Sequence, residues 1–257
     1  MEWQAPAVVL GVRPYGDTGA LVTVLTEAHG RHAGLAKGGA SRAQAPVWQM
    51  GNLVEARWVG RLAEQLGAIS AEMVHPAAAL AMEHPLALAM LAAACALAEG
   101  ALPEREAHPR CFHGLVSLIA RLPGGVERVL PDYVRWEALL LEEMGYGLDL
   151  SCCALTGATE DLAWVSPRTG RAVTAAAGAP WRDRLLPLPA FLLAEDRAGA
   201  NDPSGPAEWL AGLRLTGHFL RQNAYNSQQK PLPQARDMLL DRLATLAADS
   251  AMGRGWE

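Results

Sequence analysis

The groups in this chain able to hold a metal or carry a nucleophile are seven histidines and four cysteines. Their spacing serves neither task well. His29 and His32 sit three apart in a turn and could share a metal, but the ligand count of a zinc site is not reached around them. They read more simply as hydrogen-bonding turn residues, or as a pair placed near phosphates. The sequence has no H-E-x-x-H, no G-x-S-x-G elbow and no G-x-x-x-x-G-K loop, and Lys37-Gly-Gly-Ala-Ser41 holds the ingredients of the last in the wrong order. A hydrolase built on His29, His32 and Asp17 finds no supporting spacing. Cys152 and Cys153 are adjacent, which is poor geometry for two ligands of one tetrahedral ion. A zinc knuckle wants two C-x-x-C pairs; counting from Cys153, the partner position holds Thr156, and the next turn offers Val173 and Thr174. Cys95 and Cys111 fall in apolar helical stretches and read as buried thiols acting as small hydrophobes. The expectation is a chain that is not an enzyme and carries no metal or cofactor.

The basic residues carry more information. The formal net charge is −5, yet the acids are unevenly spread: residues 1–75 hold six acids and six bases, residues 76–150 ten and five, and residues 151–257 eleven of each. No acid occurs between Glu27 and Glu55, while Arg31, Lys37 and Arg42 all fall in that gap. His29-Gly-Arg-His32 and Lys37-Gly-Gly-Ala-Ser-Arg42 therefore place positive and small residues together. Arginine and lysine neutralise a phosphate backbone, and glycine lets it come close. Trp48 and Trp58 are candidates for base stacking on such a face, although Trp58 alternates with core positions. The alternative is an ordinary solvated loop. A second cluster, Arg214, Arg221, Lys230 and Arg236, accompanies Leu213, Leu220 and Leu232. Cations rimming an apolar groove suit an acidic, hydrophobic peptide tail, and Arg214 and Arg221, seven apart, share a helical face. A solvated helix face would leave the same pattern.

The elements that must position these groups change character along the chain. Ala7 to Arg13, Ala20 to Thr26, a short stretch around Leu35, Leu53 to Gly60 and Leu66 to Val74 alternate or are β-branched, and Gly-containing turns separate them. Five short strands in about seventy residues fit a small closed barrel of the OB kind; an SH3-like barrel or an open meander would leave a similar trace. From Pro76 the chain is Ala/Leu-rich with helical spacing. Helices are predicted from Ala77 to Gly100 with an interruption at Pro85, over His108 to Arg121, and from Pro131 to Met144, where Trp136, Leu139, Leu140 and Met144 form the apolar stripe. Residues 148–193 lose that spacing and hold two turns, Cys153 to Gly157 and Ser166 to Gly170, joining short strands. Ala207 to Asn223 and Leu232 to Ala248 read as closing helices, with a polar loop at Glu195 to Pro206 before the first of them. The fold class is thus α+β, with a barrel over 1–75 and a helical domain over 76–257 that contains a small irregular insert at 148–193.

A composition of 51% hydrophobic residues supports a substantial core and argues against wholesale disorder. The longest apolar run, Leu86 to Ala98, is thirteen residues, short of the roughly twenty a membrane span needs. The N-terminus has no basic region followed by an apolar stretch and a cleavage site, so a cytoplasmic chain is expected, without membrane association.

In this order the pieces resemble the bacterial RecO family, in the form its alphaproteobacterial members take, across essentially the whole chain. The residues carrying the resemblance are Met1-Glu-Trp3, Val9-Leu-Gly11, His29-Gly-Arg-His32, Lys37-Gly-Gly-Ala-Ser-Arg42 and Gly51-Asn-Leu-Val54. Further along come Leu148-Asp-Leu-Ser-Cys152, Thr156-Gly-Ala-Thr-Glu-Asp161, Ser166-Pro-Arg-Thr-Gly-Arg171, Leu186-Pro-Leu-Pro-Ala-Phe191 and Lys230-Pro-Leu-Pro233. The resemblance implies an N-terminal OB-type barrel followed by a helical domain with a small zinc-knuckle-like insert, degenerate here because only the position of Cys153 survives. It implies binding of single- and double-stranded DNA, annealing of complementary strands, and capture of the acidic tail of single-stranded-DNA-binding protein. Work with RecR, and often RecF, in loading RecA is implied as well, as is association with the nucleoid when on DNA. Carried onto this chain, the DNA face comprises Arg31, Lys37 and Arg42, extended to Arg57 and Arg61, and the tail site falls to Arg214, Arg221 and Arg236.

Overall fold

A computed structural model describes residues 1–61, 65–193, 204–226 and 229–253. Most of the polar loop expected at Glu195 to Pro206 lies outside the described residues. The chain forms two compact units, Met1–Gly124 and Gly125–Glu257.

The first unit opens with five strands, β1 (Glu2–Tyr15), β2 (Gly19–Thr26), β3 (Gly30–Ala36), β4 (Leu53–Val59) and β5 (Gly67–His75). They close into a barrel in the order β1-β2-β3-β5-β4, antiparallel except for a short parallel β3–β5 ladder of Gly34 with Gly67 and Leu35 with Ala68. β1 starts at Glu2, five residues before the predicted strand. One long strand serves two neighbours: Glu2 to Val8 pair with β4, while Ala7 to Tyr15 pair with β2 across an irregularity between Val9 and Gly11. The alternation predicted for β4 holds, since Val54, Ala56 and Trp58 all enter the barrel core with Val9, Val22, Val24 and Ile69.

β2 is buried on both faces, which alternation alone does not announce. Its second face, with Thr23 and Leu25, is also buried, and Thr23 donates to Glu99 on α2 (Pro85–Ala101) at 3.2 Å. That helix, α1 (Ala77–Ala81) and α3 (Pro109–Arg121) belong to the same unit as the barrel. Pro85 and Pro109 stand at helix starts, where the missing N–H costs nothing.

The second unit holds α4 (Val126–Glu143), a three-stranded sheet of β6 (Leu162–Val165), β7 (Ala172–Thr174) and β8 (Leu186–Pro187) in the order β7-β6-β8, and the short helix α5 (Ala175–Gly178). α6 (Pro206–Phe219) runs into a π-helical turn, Leu220–Tyr225, and α7 (Gln234–Ala251) closes the chain. α4 begins five residues before the predicted start and carries Pro131 inside it. Proline most often opens a helix, so the sequence reading placed the start there; here Pro131 falls in the second turn and removes one backbone bond from a helix held by its buried face. The mixed α+β class therefore holds: a five-stranded sheet, then helices, with the small sheet inside residues 148–193. No helix among the described residues is long and apolar enough to cross a membrane.

Candidate functional site

The span between β3 and β4 displays two of the expected cations. Ala40 N–H donates to the Thr18 carbonyl at 3.0 Å, which ties the start of the loop to the β1–β2 turn. At its other end Asn52, fully buried, donates through Nδ2 to the Pro46 carbonyl at 2.8 Å and accepts from Ala78 N–H at 3.1 Å. Between these anchors Trp48 plugs the barrel core, 2% exposed. Lys37 and Arg42 are left on the solvent side. Trp48 and Trp58, considered for base stacking, are both core residues and offer no exposed ring face. A ring as large as indole fills a small barrel efficiently, and period-2 placement had already put Trp58 with Val54 and Ala56.

The other cations stand differently. β3 alternates, with Arg31, Ala33 and Leu35 half-buried and His32, Gly34 and Ala36 turned inward. Arg31 Nε donates to the Leu102 carbonyl at 2.8 Å, and the Arg31 carbonyl accepts from Arg105 N–H at 2.8 Å. Arg31 thus fastens the segment after α2 across the start of β3. Arg57 is exposed on β4 and ion-paired with Glu2 at 2.6 Å, both side chains about half exposed. Glu55 and Glu72 line the same shallow depression, so its surroundings are acidic. Arg61 is exposed just after Gly60, whose N–H donates to the Met1 carbonyl at 3.0 Å. By register, Arg31 and Arg61 mark the barrel end where β3 begins. Lys37 lies six residues further along, about 20 Å at the strand rise of ~3.3 Å per residue. Arg31 and Lys37 therefore do not share one compact patch.

At the Arg31 end lies a cavity of about 340 Å³ bounded by Trp3, His29, His32, Trp58 and Arg105. Its walls are aromatic. Trp3 stacks on His29 with ring centroids 4.7 Å apart and 16° between planes, and lies nearly parallel to Trp58 at 6.3 Å. His32 stands edge-on between the two indoles, 5.2 Å from Trp3 and 4.7 Å from Trp58. Trp58 Nε1 donates to the Ala33 carbonyl at 3.2 Å. Trp3 Nε1, Arg105 Nε and both ring nitrogens of His32 are buried without a well-formed hydrogen bond among the described residues, His32 feeling only a weak pull from the His29 backbone. Burial first, and then the neighbouring Arg105 charge, holds His32 below its ordinary value of 6.5, so its ring is neutral at pH 7. Glycine makes the closure possible. Gly30 has φ +60°, and a Cβ there would stand 1.8 Å from the Glu106 carbonyl oxygen. The sequence reading named His29 and His32 but not Trp3 or Arg105 as their neighbours. The sequence reading placed His32 in a turn, whereas it stands on β3 and faces inward with Gly34 and Ala36; nothing in the sequence placed Arg105 beside it.

In the second unit, Arg214 and Arg221 are exposed. Arg236 is not: it is 1% exposed and corrects the expectation of a surface cation. Its Nε and Nη2 donate to the two carboxylate oxygens of Glu137, at 2.9 and 2.7 Å, and Nη2 also reaches the Leu213 carbonyl at 2.7 Å. Thr216 Oγ1 donates to the same carboxylate. Burial opposes the Arg236 charge, but the Glu137 carboxylate and its hydrogen bonds outweigh it, and the guanidinium is held above its usual range. Gly217 leaves the room required, since a Cβ there would lie 2.5 Å from Arg236 Nη1. A guanidinium committed in this way is not available to a peptide arriving from solvent.

The cysteines of the insert do not fit a knuckle ion. Cys153, 1% exposed, has Thr174 N–H at 3.4 Å and Thr174 Oγ1 at 3.7 Å from its sulfur. The Thr156 hydroxyl first, and then backbone N–H groups, pull its thiol down to about 6. Threonines stand around the sulfur where further ligands would be needed, and no group of three or more metal-ligating side chains occurs among the described residues. Cys95 and Cys111 are fully buried thiols, the former pushed up to about 12 by burial.

Two family models match this chain, one described as recombination protein O N terminal over residues 1–77 and one as recombination protein O C terminal over residues 82–232. Among curated proteins it is similar to the DNA repair protein RecO of Acidiphilium cryptum, 58% identical over 246 residues, covering 95% of this chain and 96% of that one. The protein of the same name from Granulibacter bethesdensis is 54% identical over 246 residues, covering 96% and 97%. That of Caulobacter vibrioides strain NA1000 / CB15N is 48% identical over 245 residues, covering 95% and 98%.

Proposed function

The chain belongs to the RecO family of recombination and DNA repair proteins, and from that premise we propose that it acts as a non-catalytic mediator, a protein that works by holding strands and partners. On this reading residues 1–75 are an OB-type DNA-binding domain. They bind single- and double-stranded DNA and anneal complementary strands. The helical remainder, 76–257, takes the acidic tail of single-stranded-DNA-binding protein near Arg214 and Arg221, with the insert at 148–193 a degenerate zinc knuckle. With RecR, and often RecF, the protein helps load RecA on gaps covered by single-strand-binding protein.

One observation carries the reading. The barrel order β1-β2-β3-β5-β4, closed through a parallel β3–β5 pair, supports an OB-type reading, and Lys37, Arg42 and Arg61 are exposed on this unit. A cationic track with nearby aromatic groups is the pattern that follows a single strand.

The test is fluorescence anisotropy of a labelled single-stranded oligonucleotide across a salt series, comparing wild type with Lys37→Ala/Arg42→Ala and with Arg61→Ala. Each lost phosphate contact lowers the slope of log affinity against log salt by about 0.7 on a single strand. A reduced slope in the variants supports the DNA face. Salt-insensitive binding, or none at low salt, favours instead an adaptor whose barrel receives a protein partner.

A further inference from the structure

We propose that the cavity between Trp3, His29, His32, Trp58 and Arg105 is a nucleobase pocket, a slot that takes one unstacked base at the end of the barrel where β3 begins. The inference rests on the DNA-binding reading and goes beyond it, because it assigns base contact to a built site rather than to the cationic track.

The chemistry of the walls selects the ligand. Four polar atoms, Trp3 Nε1, Arg105 Nε and the two nitrogens of His32, are buried without a well-formed partner among the described residues. Leaving one such atom unsatisfied costs about 1–3 kcal/mol, so a ligand that enters beside these residues and draws their polar atoms into bonds recovers that cost. Neutral His32 offers one donor and one acceptor, and the indole and guanidinium N–H groups add two donors. The matching ligand is planar, presents at least two acceptors and one donor on its edge, and stacks on the half-buried Trp3 or His29 ring, Trp58 and His32 forming the buried floor. Nucleobases have these properties. A phosphate or carboxylate suits the site less well, because of the two cations around it the Met1 ammonium is already bonded to the Gly60 carbonyl at 2.7 Å, Glu2 offsets Arg105, and His32 is neutral. A quaternary cation would favour an aromatic cage but would face Arg105 and waste the donors. A metal ion would need more ligands than one buried imidazole and one imidazole already stacked on Trp3. The volume of about 340 Å³ stands at the lower end of small-molecule sites, suited to a single ring system.

The backbone around the cavity is held for the purpose. Arg31 binds the Leu102 carbonyl and receives Arg105 N–H, and Arg105 itself adopts φ +62°, a conformation rare for a residue with a side chain. Such strain recurs where side chains are aimed at a ligand. Arg31 is then a positioning residue for the pocket rather than a phosphate contact.

The experiment measures anisotropy of the full chain with an oligothymidylate and with a strand of equal length made wholly of abasic sites. The proteins are wild type, His32→Phe and Trp3→Phe. Trp3→Phe keeps an aromatic ring over His29 while removing the indole N–H and part of the stacking area, so one variant tests the pocket even if His32→Phe perturbs the barrel; circular dichroism checks the fold of both. Wild type is expected to bind the thymidylate strand about fivefold to 150-fold more tightly than the abasic one, the range of one stacked base. Both variants lower that ratio while leaving abasic affinity and its salt slope unchanged. Equal affinity of wild type for the two strands, or ratios untouched in folded variants, overturns the pocket and leaves salt-dependent DNA binding standing. If no strand binds at low salt, the DNA reading fails, and free thymidine becomes the probe. Thymidine that perturbs the His32 ring signals by NMR keeps a free-nucleoside site, and thymidine that leaves them unmoved overturns the pocket as well.

Discussion

Two buried polar clusters in this protein are built on opposite terms. Around Glu137 and Arg236, in the helical unit, every carboxylate oxygen is bonded, and Thr216 and the Leu213 carbonyl complete the set. Around His32, in the barrel unit, both ring nitrogens and two neighbouring N–H groups lack a well-formed partner among the described residues. The contrast separates polar burial completed within the fold from polar burial that, in the pocket proposed above, a ligand completes. A completed network holds three helices, α4, α6 and α7, in one arrangement; an incomplete one stores a cost that a ligand relieves.

The sharpest way to break the comparison is Arg236→Ala. It strands the Glu137 carboxylate in a dry core, and we expect a loss of about 3–5 kcal/mol, read as a lower urea midpoint. A loss under 1 kcal/mol would mean that the network is not what holds α7. Next comes Gly30→Ala, which forces a methyl group against the Glu106 carbonyl in a left-handed backbone and should cost about 1–3 kcal/mol. His32→Phe should behave differently. Because it removes polar atoms that lack a well-formed partner, it is expected to be neutral or to stabilise by about 1 kcal/mol. Its pH signature follows from the depressed histidine. Stability contributed by neutral His32 is fully present above pH 6.5 and is lost as pH falls through the lowered folded value. His29, Glu104 and Arg105 are the other charged or titrating groups that act on this ring. Denaturation at pH 7 and pH 5 should therefore show wild type losing more than His32→Phe. The smallest effect belongs to Lys37→Ala/Arg42→Ala, within about 0.5 kcal/mol of wild type in stability, since both side chains are exposed.

Period-2 and helical patterning made the strands and most helices legible, because one buried face imposes one repeat. It located β2 without revealing that both its faces are buried, and it misplaced a helix start where a proline lies inside a helix whose other contacts outweigh one lost bond, as at Pro131. At the candidate sites the sequence supplied residue types without their surroundings. Arg31 and Arg236 were read as surface cations because charge implies exposure; a backbone carbonyl claims the first and a carboxylate ninety-nine residues away the second. Lys37, Arg42, Arg214 and Arg221 are exposed, as their composition and spacing implied. Trp3 and Arg105 meet His32 only because the barrel closes and a connection crosses its end, a relation between distant segments that no local pattern encodes.

That closure has a mechanical consequence. β3 and β5 are joined by two residue pairs, whereas every other seam of the barrel is a ladder of seven or eight. Three glycines near this seam, Gly34, Gly60 and Gly67, lie against the Trp58 ring, so the indole acts as the latch that the short ladder lacks. The barrel is a clasp with one side short of backbone bonds, so its closure there rests on side-chain packing around Trp58.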